Sequence, residues 1–260
     1  MSYANVNGLS LYYEDHGAGK PLVLLHGGFG STEAFTPLLP ELGRNRRVIL
    51  VDLQGHGRTA DADRPLRPET LADDVAALLG HLDVPRADVL GYSKGGVVAL
   101  WCAIRHPDAV RRLVAVSIPY KRDGWYPEVV AEMEAMGGPD TAEALRATPL
   151  YETYARLAPR PEDWPVLVAK SAESMRQPFD WSAEVSSVTA PTLLVYGDND
   201  AVRPAHMVEF FGLLGGGHKD AGVDGSGRSA AGLAVLPGAT HYDLMGHPAL
   251  PGVVNRFLAD

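Results

Sequence analysis

The chain has 260 residues, 46% hydrophobic and 21% charged, which is ordinary globular material with enough apolar content for a full core. Acidic residues number 32 against 23 basic ones; the net charge of −9, with the acidic residues spread along the chain, argues against nucleic acid or an anionic membrane as a partner. Cys102 is the single cysteine, so an intrachain disulfide is excluded, and its apolar helical surroundings predict a buried, inert thiol. The first fifteen residues lack a basic start and a long apolar run, and no later segment reaches transmembrane length, so a cytoplasmic protein is expected.

In chain order, Val6-Asn7-Gly8-Leu9 reads as a tight turn joining two short antiparallel strands. Short apolar runs then recur at 22–25, 48–51, 89–90, 113–116, 193–196 and 233–236, with helical or mixed segments between most of them. Such runs are the pattern of strands buried on both faces. The clearest helix begins near Thr70; it puts Leu71, Val75, Leu78, Leu79 and Leu82 on one face, and Asp73 and Asp74 in the first turn. This alternation predicts an α/β fold with a mostly parallel central sheet and flanking helices.

The alternation lapses from 119 to 190, where Trp125, Tyr126, Trp164 and Trp181 occur among prolines that cut the stretch into short helical pieces. The expected organisation is a core of residues 1–118 and 191–260 with a helical cap, 119–190, inserted in it to exclude water and shape an apolar pocket. A glycine-rich link from Gly215 to Ser229 precedes the last run. Its Asp spacing lacks the terminal acidic ligand of a calcium loop, and a mobile surface loop is expected.

Gly91-Tyr92-Ser93-Lys94-Gly95 lies between the apolar run 87–90 and a helix-like stretch from Gly96. A serine at a sharp strand-to-helix turn has a strained backbone and crowded neighbours, which glycines two residues either side relieve. The turn lifts the hydroxyl clear of the sheet and aims the first helical N–H groups at the reaction centre. A serine nucleophile needs a base, and the base needs a carboxylate to orient it. The run 193–196 ends in Gly197-Asp198-Asn199-Asp200, and the run 233–236 in Pro237-Gly238-Ala239-Thr240-His241, both at the carboxyl ends of predicted strands. The order is therefore Ser93, an aspartate, then His241.

With His26-Gly27-Gly28-Phe29-Gly30 after the first parallel strand and Asp52-Leu53-Gln54-Gly55-His56-Gly57-Arg58-Thr59 after the next, the chain resembles the α/β-hydrolase superfamily over essentially its whole length. The resemblance is to the capped group of small esterases, lactonases, perhydrolases and carbon–carbon bond hydrolases. It implies Asp200 rather than Asp198 as the acid, and an oxyanion hole made by the backbone N–H groups of Gly28 and Lys94, with Phe29 the alternative to Gly28. It also implies a serine hydrolase cleaving carboxylic ester or lactone bonds of a small, fairly apolar substrate, in a pocket drawn from Phe29, Trp125, Tyr126, Trp164 and Trp181. A perhydrolase or carbon–carbon bond hydrolase with the same triad is the alternative, as is a hydrolase-like receptor with little turnover.

Lys94 stands where these families commonly carry an apolar residue. A cation there could favour anionic substrates, but the expectation is an ammonium paired with a carboxylate or reaching solvent along its stem. His26 and His56 are expected to hold loop backbone in place. The nine histidines contain no His-Glu-x-x-His pattern, and the glycines near Gly27 lack the dinucleotide spacing, so no metal and no cofactor is implied.

Overall fold

The computed structural model describes residues 2–259. Among them eight strands form one sheet: β1 (Ser2–Val6), β2 (Leu9–Gly17), β3 (Lys20–Leu25), β4 (Arg46–Val51), β5 (Ala87–Tyr92), β6 (Val110–Val116), β7 (Thr192–Asn199) and β8 (Ala231–Thr240). Their spatial order is β1-β2-β4-β3-β5-β6-β7-β8. β1 and β2 pair antiparallel, as do β2 and β4, and the remaining pairs are parallel. Asn7 and Gly8 both take positive φ, 48° and 80°, which is the two-residue hairpin turn expected from their types.

The apolar runs split by parity between the two faces. Val23 and Leu25, Ile49 and Val51, and Leu113 and Ala115 pack on the face covered by α2 (Pro68–His81) and α3 (Lys94–Arg105). Leu22 and Leu24, Val48 and Leu50, and Val114 and Val116 pack on the other, against α1 (Leu39–Leu42) and α10 (Leu250–Leu258). A strand with helices on both sides buries every residue, which is why these runs are continuously apolar. Each buried Leu or Val contributes roughly 1.5–3 kcal/mol.

Two expectations need correction. α2 starts at Pro68, whose ring presets a helical φ, so Asp73 and Asp74 fall in the second turn and Glu69 is the acid of the first. Both aspartates have other partners. Asp73 accepts from Arg105 at 2.9 Å and faces His106 Nε2 at 2.7 Å, while Asp74 accepts from Asn7 and Arg64. Strands β7 and β8 also run further than their apolar cores, to Asn199 and Thr240. A register shift after Gly197 and the positive φ of Gly238 (78°) let pairing resume at Asn199 and Thr240. Asp200 and His241 thus each directly follow one of these paired strand ends, as expected of residues at the carboxyl ends of two strands.

Between β6 and β7 the chain forms α4 (Pro127–Ala135), α5 (Pro139–Leu145), α6 (Pro149–Leu157), α7 (Trp164–Arg176) and α8 (Ser182–Ser186), and α9 (Pro204–Leu213) follows β7. Pro127 and Pro149 start their helices rather than break them, because the first helical N–H is unused anyway. Two ion pairs tie this segment to loops at the carboxyl edge of the sheet. Lys170 Nζ donates to Asp61 at 2.6 Å, and to the carbonyls of Ala62 and Arg64. Arg156 reaches Glu33, which Arg58 also holds. In the link before β8, Asp220 and Asp224 accept the N–H groups of Gly222 and Ser226, so these carboxylates build turns. Among the described residues no helix is long and apolar enough to cross a membrane.

Candidate active site

Ser93 sits between β5 and α3 with φ +51° and ψ −120°, a conformation that side chains rarely adopt. The glycines around it are sterically required. A Cβ on Gly91 would run into the carbonyl of Gly95, and one on Gly95 into the carbonyls of Leu25 and His26. α3 can therefore start this close to the ends of β3 and β5 only with glycine at both positions. The strained turn is closed by a backbone bond from Ser93 N–H to the Val116 carbonyl, 2.9 Å.

Ser93 Oγ lies 3.2 Å from His241 Nε2. On the far side of the imidazole, Nδ1 is 3.4 Å from Asp200 Oδ1 and 2.5 Å from the hydroxyl of Ser117. Ser117 is a residue the sequence reading did not single out. It follows β6, is fully buried, and donates to Asp200, whose two oxygens lie 2.7 and 2.8 Å away. A hydroxyl has one proton; with it on Asp200, Ser117 can meet Nδ1 only as an acceptor. This places the imidazole proton on Nδ1 and leaves the Nε2 lone pair facing Ser93. Apart from its position after a strand, nothing in the sequence marks Ser117, whose φ of +57° is not encoded by residue type.

Asp200 also accepts the N–H groups of Gly197 and Val202, each at 3.2 Å. Burial pushes its carboxyl pKa upward, but the hydrogen bonds from His241 and Ser117 outweigh that and hold it below the usual value. Asp198 is exposed and accepts from Asn199 Nδ2 and from the Gly238 N–H, both at 2.7 Å. Of the two candidate acids, the structure brings only Asp200 to His241. Tyr92 OH donates to the His241 carbonyl at 2.6 Å, and Asp243 accepts from Thr240 N–H at 2.6 Å, so the histidine backbone is held from both sides.

Groups with unused donors also flank Ser93. Lys94 is the first residue of α3, so the helix makes no use of its N–H. Gly27 packs against Tyr92 and Ser93; a Cβ on Gly28 would meet nothing within 4 Å, so this backbone borders open space. Phe29, with φ +58°, packs its ring on Trp164. His26 and His56 hold loops as expected. His26 Nδ1 sits 2.7 Å from the Gly27 carbonyl and its Nε2 accepts from Leu53 N–H, while His56 Nδ1 sits 2.8 Å from the Gln54 carbonyl. His56 Nε2 is buried without a partner.

Of the two states expected for Lys94, pairing with a carboxylate is not found among the described residues, and its partial exposure is compatible with the other, an ammonium reaching solvent. Its side chain is half-buried, and no described residue gives its ammonium a hydrogen bond or ion pair. Burial alone moves its pKa, down to about 8. Asp52, on the loop that carries His56, is already committed to the N–H groups of Thr32 and Arg58, at 2.6 and 2.8 Å.

The five aromatics expected around a pocket divide. Trp125 stands edge-on to His241, with ring centroids 5.6 Å apart, and Tyr126 next to it is half-buried. Trp164 is fully buried against Phe29, Tyr151 and Tyr154 and donates its indole N–H to the Ala142 carbonyl, so it is the packing centre of the helical segment. Trp181 stacks on Phe179 and meets Trp101 edge-on. Cys102 is buried as expected, and burial raises its thiol pKa far above the usual range. Among the described residues no cluster of side chains suited to a metal ion occurs.

The family described as the alpha/beta hydrolase fold matches residues 20–214. A protein of Azorhizobium caulinodans carrying the name carbamate hydrolase RutD is 30% identical over 223 residues, spanning 80% of this chain and 83% of that one. The pimeloyl-(acyl-carrier protein) methyl ester esterase of Chromobacterium violaceum is 32% identical over 225 residues, 75% of this chain and 82% of that one. Among solved structures, the enol-lactonase from Burkholderia xenovorans LB400 superposes with a TM-score of 0.76 at 22% identity, covering 99% of this chain and 100% of that one, a likeness of fold.

Proposed function

Because the chain belongs to the α/β-hydrolase fold family, whose relatives here are named hydrolases and esterases, we propose that it is a serine hydrolase cleaving carboxylic ester or lactone bonds of a small, fairly apolar molecule. The observation that carries this reading is the 3.2 Å approach of Ser93 Oγ to His241 Nε2 at a turn that only glycine neighbours permit.

In this mechanism His241 Nε2 takes the Ser93 proton as Oγ attacks the carbonyl carbon. The imidazolium that forms is stabilised through Nδ1–H by Ser117 and by the Asp200 carboxylate. The oxyanion is received by the N–H groups of Lys94 and Gly28, fixed in place before the charge appears and worth roughly 3 kcal/mol each. The alcohol leaves with the proton from His241, and water, deprotonated by the same imidazole, clears the acyl-enzyme. Apart from that water, the groups named in this cycle are side chains and backbone amides of this chain.

Residues 119–190 act as a cap in this reading. Trp125 and Tyr126 line the approach to His241, while Trp164 and Trp181 shape it indirectly through Phe29 and Phe179. The test is turnover of a short p-nitrophenyl ester by the protein and by Ser93→Ala. Hydrolysis that disappears in the variant supports the reading; hydrolysis that persists, or its absence from the unaltered protein across esters and lactones of graded length, refutes it.

A further inference from the structure

We propose that Lys94 Nζ receives a carboxylate on the substrate, so that the preferred ester or lactone carries a free acid group a few bonds from its scissile carbonyl. The inference deepens the reading above and rests on Ser93 being the nucleophile.

Cations elsewhere in the chain show how this fold treats lysine and arginine. Lys170 is half-buried and has three oxygen acceptors, Asp61 at 2.6 Å and the carbonyls of Ala62 and Arg64 at 2.6 and 2.9 Å. Arg64, also half-buried, is shared by Gln54 and Asp74. Arg44, Arg67, Lys219 and Arg228 have no acceptor among the described residues, but all four are exposed and water serves them. Lys94 fits neither group. It is half-buried and has no acceptor among the described residues, and the loss of water around it is what lowers its pKa.

The surroundings supply no compensating charge. The imidazoles of His26 and His56 lie within the field of the ammonium; burial, foremost, and that field lower both pKa values, against the raising effect of Asp52 on His26. His56 Nε2 offers a buried lone pair but no negative charge. An ammonium held this way is costly when the site is empty and gains most from a ligand that brings an anion. Lys94 directly follows Ser93 in the chain, so an acid group bound there belongs to the molecule under attack.

The rest of the molecule points the same way. With a net charge of −9, the protein's long-range field repels anions, so a preference for one must come from a local cation. Lysine suits this role because it is a compact point charge on a flexible stem.

The experiment uses the Ser93→Ala protein, which can hold an ester without consuming it, and isothermal titration calorimetry with two matched ligands: monophenyl succinate and its neutral methyl ester, phenyl methyl succinate. The monoanion is expected to bind at least tenfold more tightly, and adding Lys94→Met or Lys94→Gln should remove that preference in variants shown by thermal melting to be folded. Equal affinities for the two ligands with Lys94 present would overturn the proposal, whatever the variants do, as would a preference that survives its replacement. Hydrolysis of both esters by the unaltered protein is measured alongside. Turnover without an anion preference sinks the carboxylate site alone, and an anion preference without turnover sinks the hydrolase reading alone.

Discussion

The two sides of Ser93 are built on opposite principles. On the His241 side every polar group is used: Asp200 accepts from Ser117, Gly197 and Val202 and faces His241, and the histidine backbone is held by Tyr92. On the Lys94 side a helical N–H, a buried imidazole nitrogen and a half-buried ammonium all lack partners among the described residues. Satisfied groups hold geometry, and unsatisfied ones in a cleft bind what comes from outside. In the proposed function the first side is thus the machinery for moving a proton, and in the proposed Lys94 site the second is the receptor for negative charge.

The sharpest way to break this division is at the proton side. Ser93→Ala and His241→Ala should each lower kcat by roughly 10⁴–10⁶, and the double variant should be little worse, because the groups act as a unit. Additive losses in steady-state kinetics would show that they do not. Asp200→Asn keeps the shape but frees the tautomer, and should lower kcat by roughly 10³–10⁴ with KM little changed, whereas Asp198→Asn should cost less than about tenfold. The reverse pattern would move the acid to Asp198. Ser117 is a positioning residue in this account. Ser117→Ala and Ser117→Gly should each lower kcat by roughly 10–100-fold with KM within about twofold, glycine fitting the positive φ and therefore melting higher than alanine. If KM alone moves, Ser117 serves packing and not the imidazole.

The two half-buried lysines give the smallest effects and the clearest contrast. Lys170→Met strands the Asp61 carboxylate and should destabilise the fold by about 1–3 kcal/mol. Lys94→Met removes an unpaired charge and should stabilise it, on the order of 1 kcal/mol near pH 7. The sign follows from linkage: the folded-state pKa, about 8, lies below the unfolded value, so the unfolded chain holds more protons in between and wild-type stability rises with pH through that window. The advantage of Lys94→Met should therefore shrink from pH 8 towards pH 10. Denaturant titrations at several pH values check this, and a destabilised Lys94→Met at neutral pH would mean that the ammonium has a partner.

Much of the proton side was legible in the chain because it rests on spacing. Gly91 and Gly95 bracket Ser93, and the apolar runs that carry Asp200 and His241 end close to them, so strand, turn and residue type point together. Ser117 was not legible, since its role comes from a backbone conformation and a burial that a serine after a strand does not announce. The ends of β7 and β8 were missed for a related reason: a register shift lets Asn199 and Thr240 pair although neither continues an apolar pattern. Trp164 and Trp181 looked like Trp125 in sequence, and packing alone separates a ring beside His241 from one that fills the helical segment. For Lys94 a carboxylate partner and solvent were both open in the sequence, which does not show that no carboxylate among the described residues reaches the ammonium.

The central claim is that Ser93 is the nucleophile, and covalent trapping tests it most directly. The protein is treated with a fluorophosphonate and the adduct located by peptide mass spectrometry. The account predicts one phosphonylated site, Ser93, in the unaltered protein and in Asp198→Asn, with no adduct in folded Ser93→Ala. An adduct on another residue, or labelling that persists in Ser93→Ala, would contradict it.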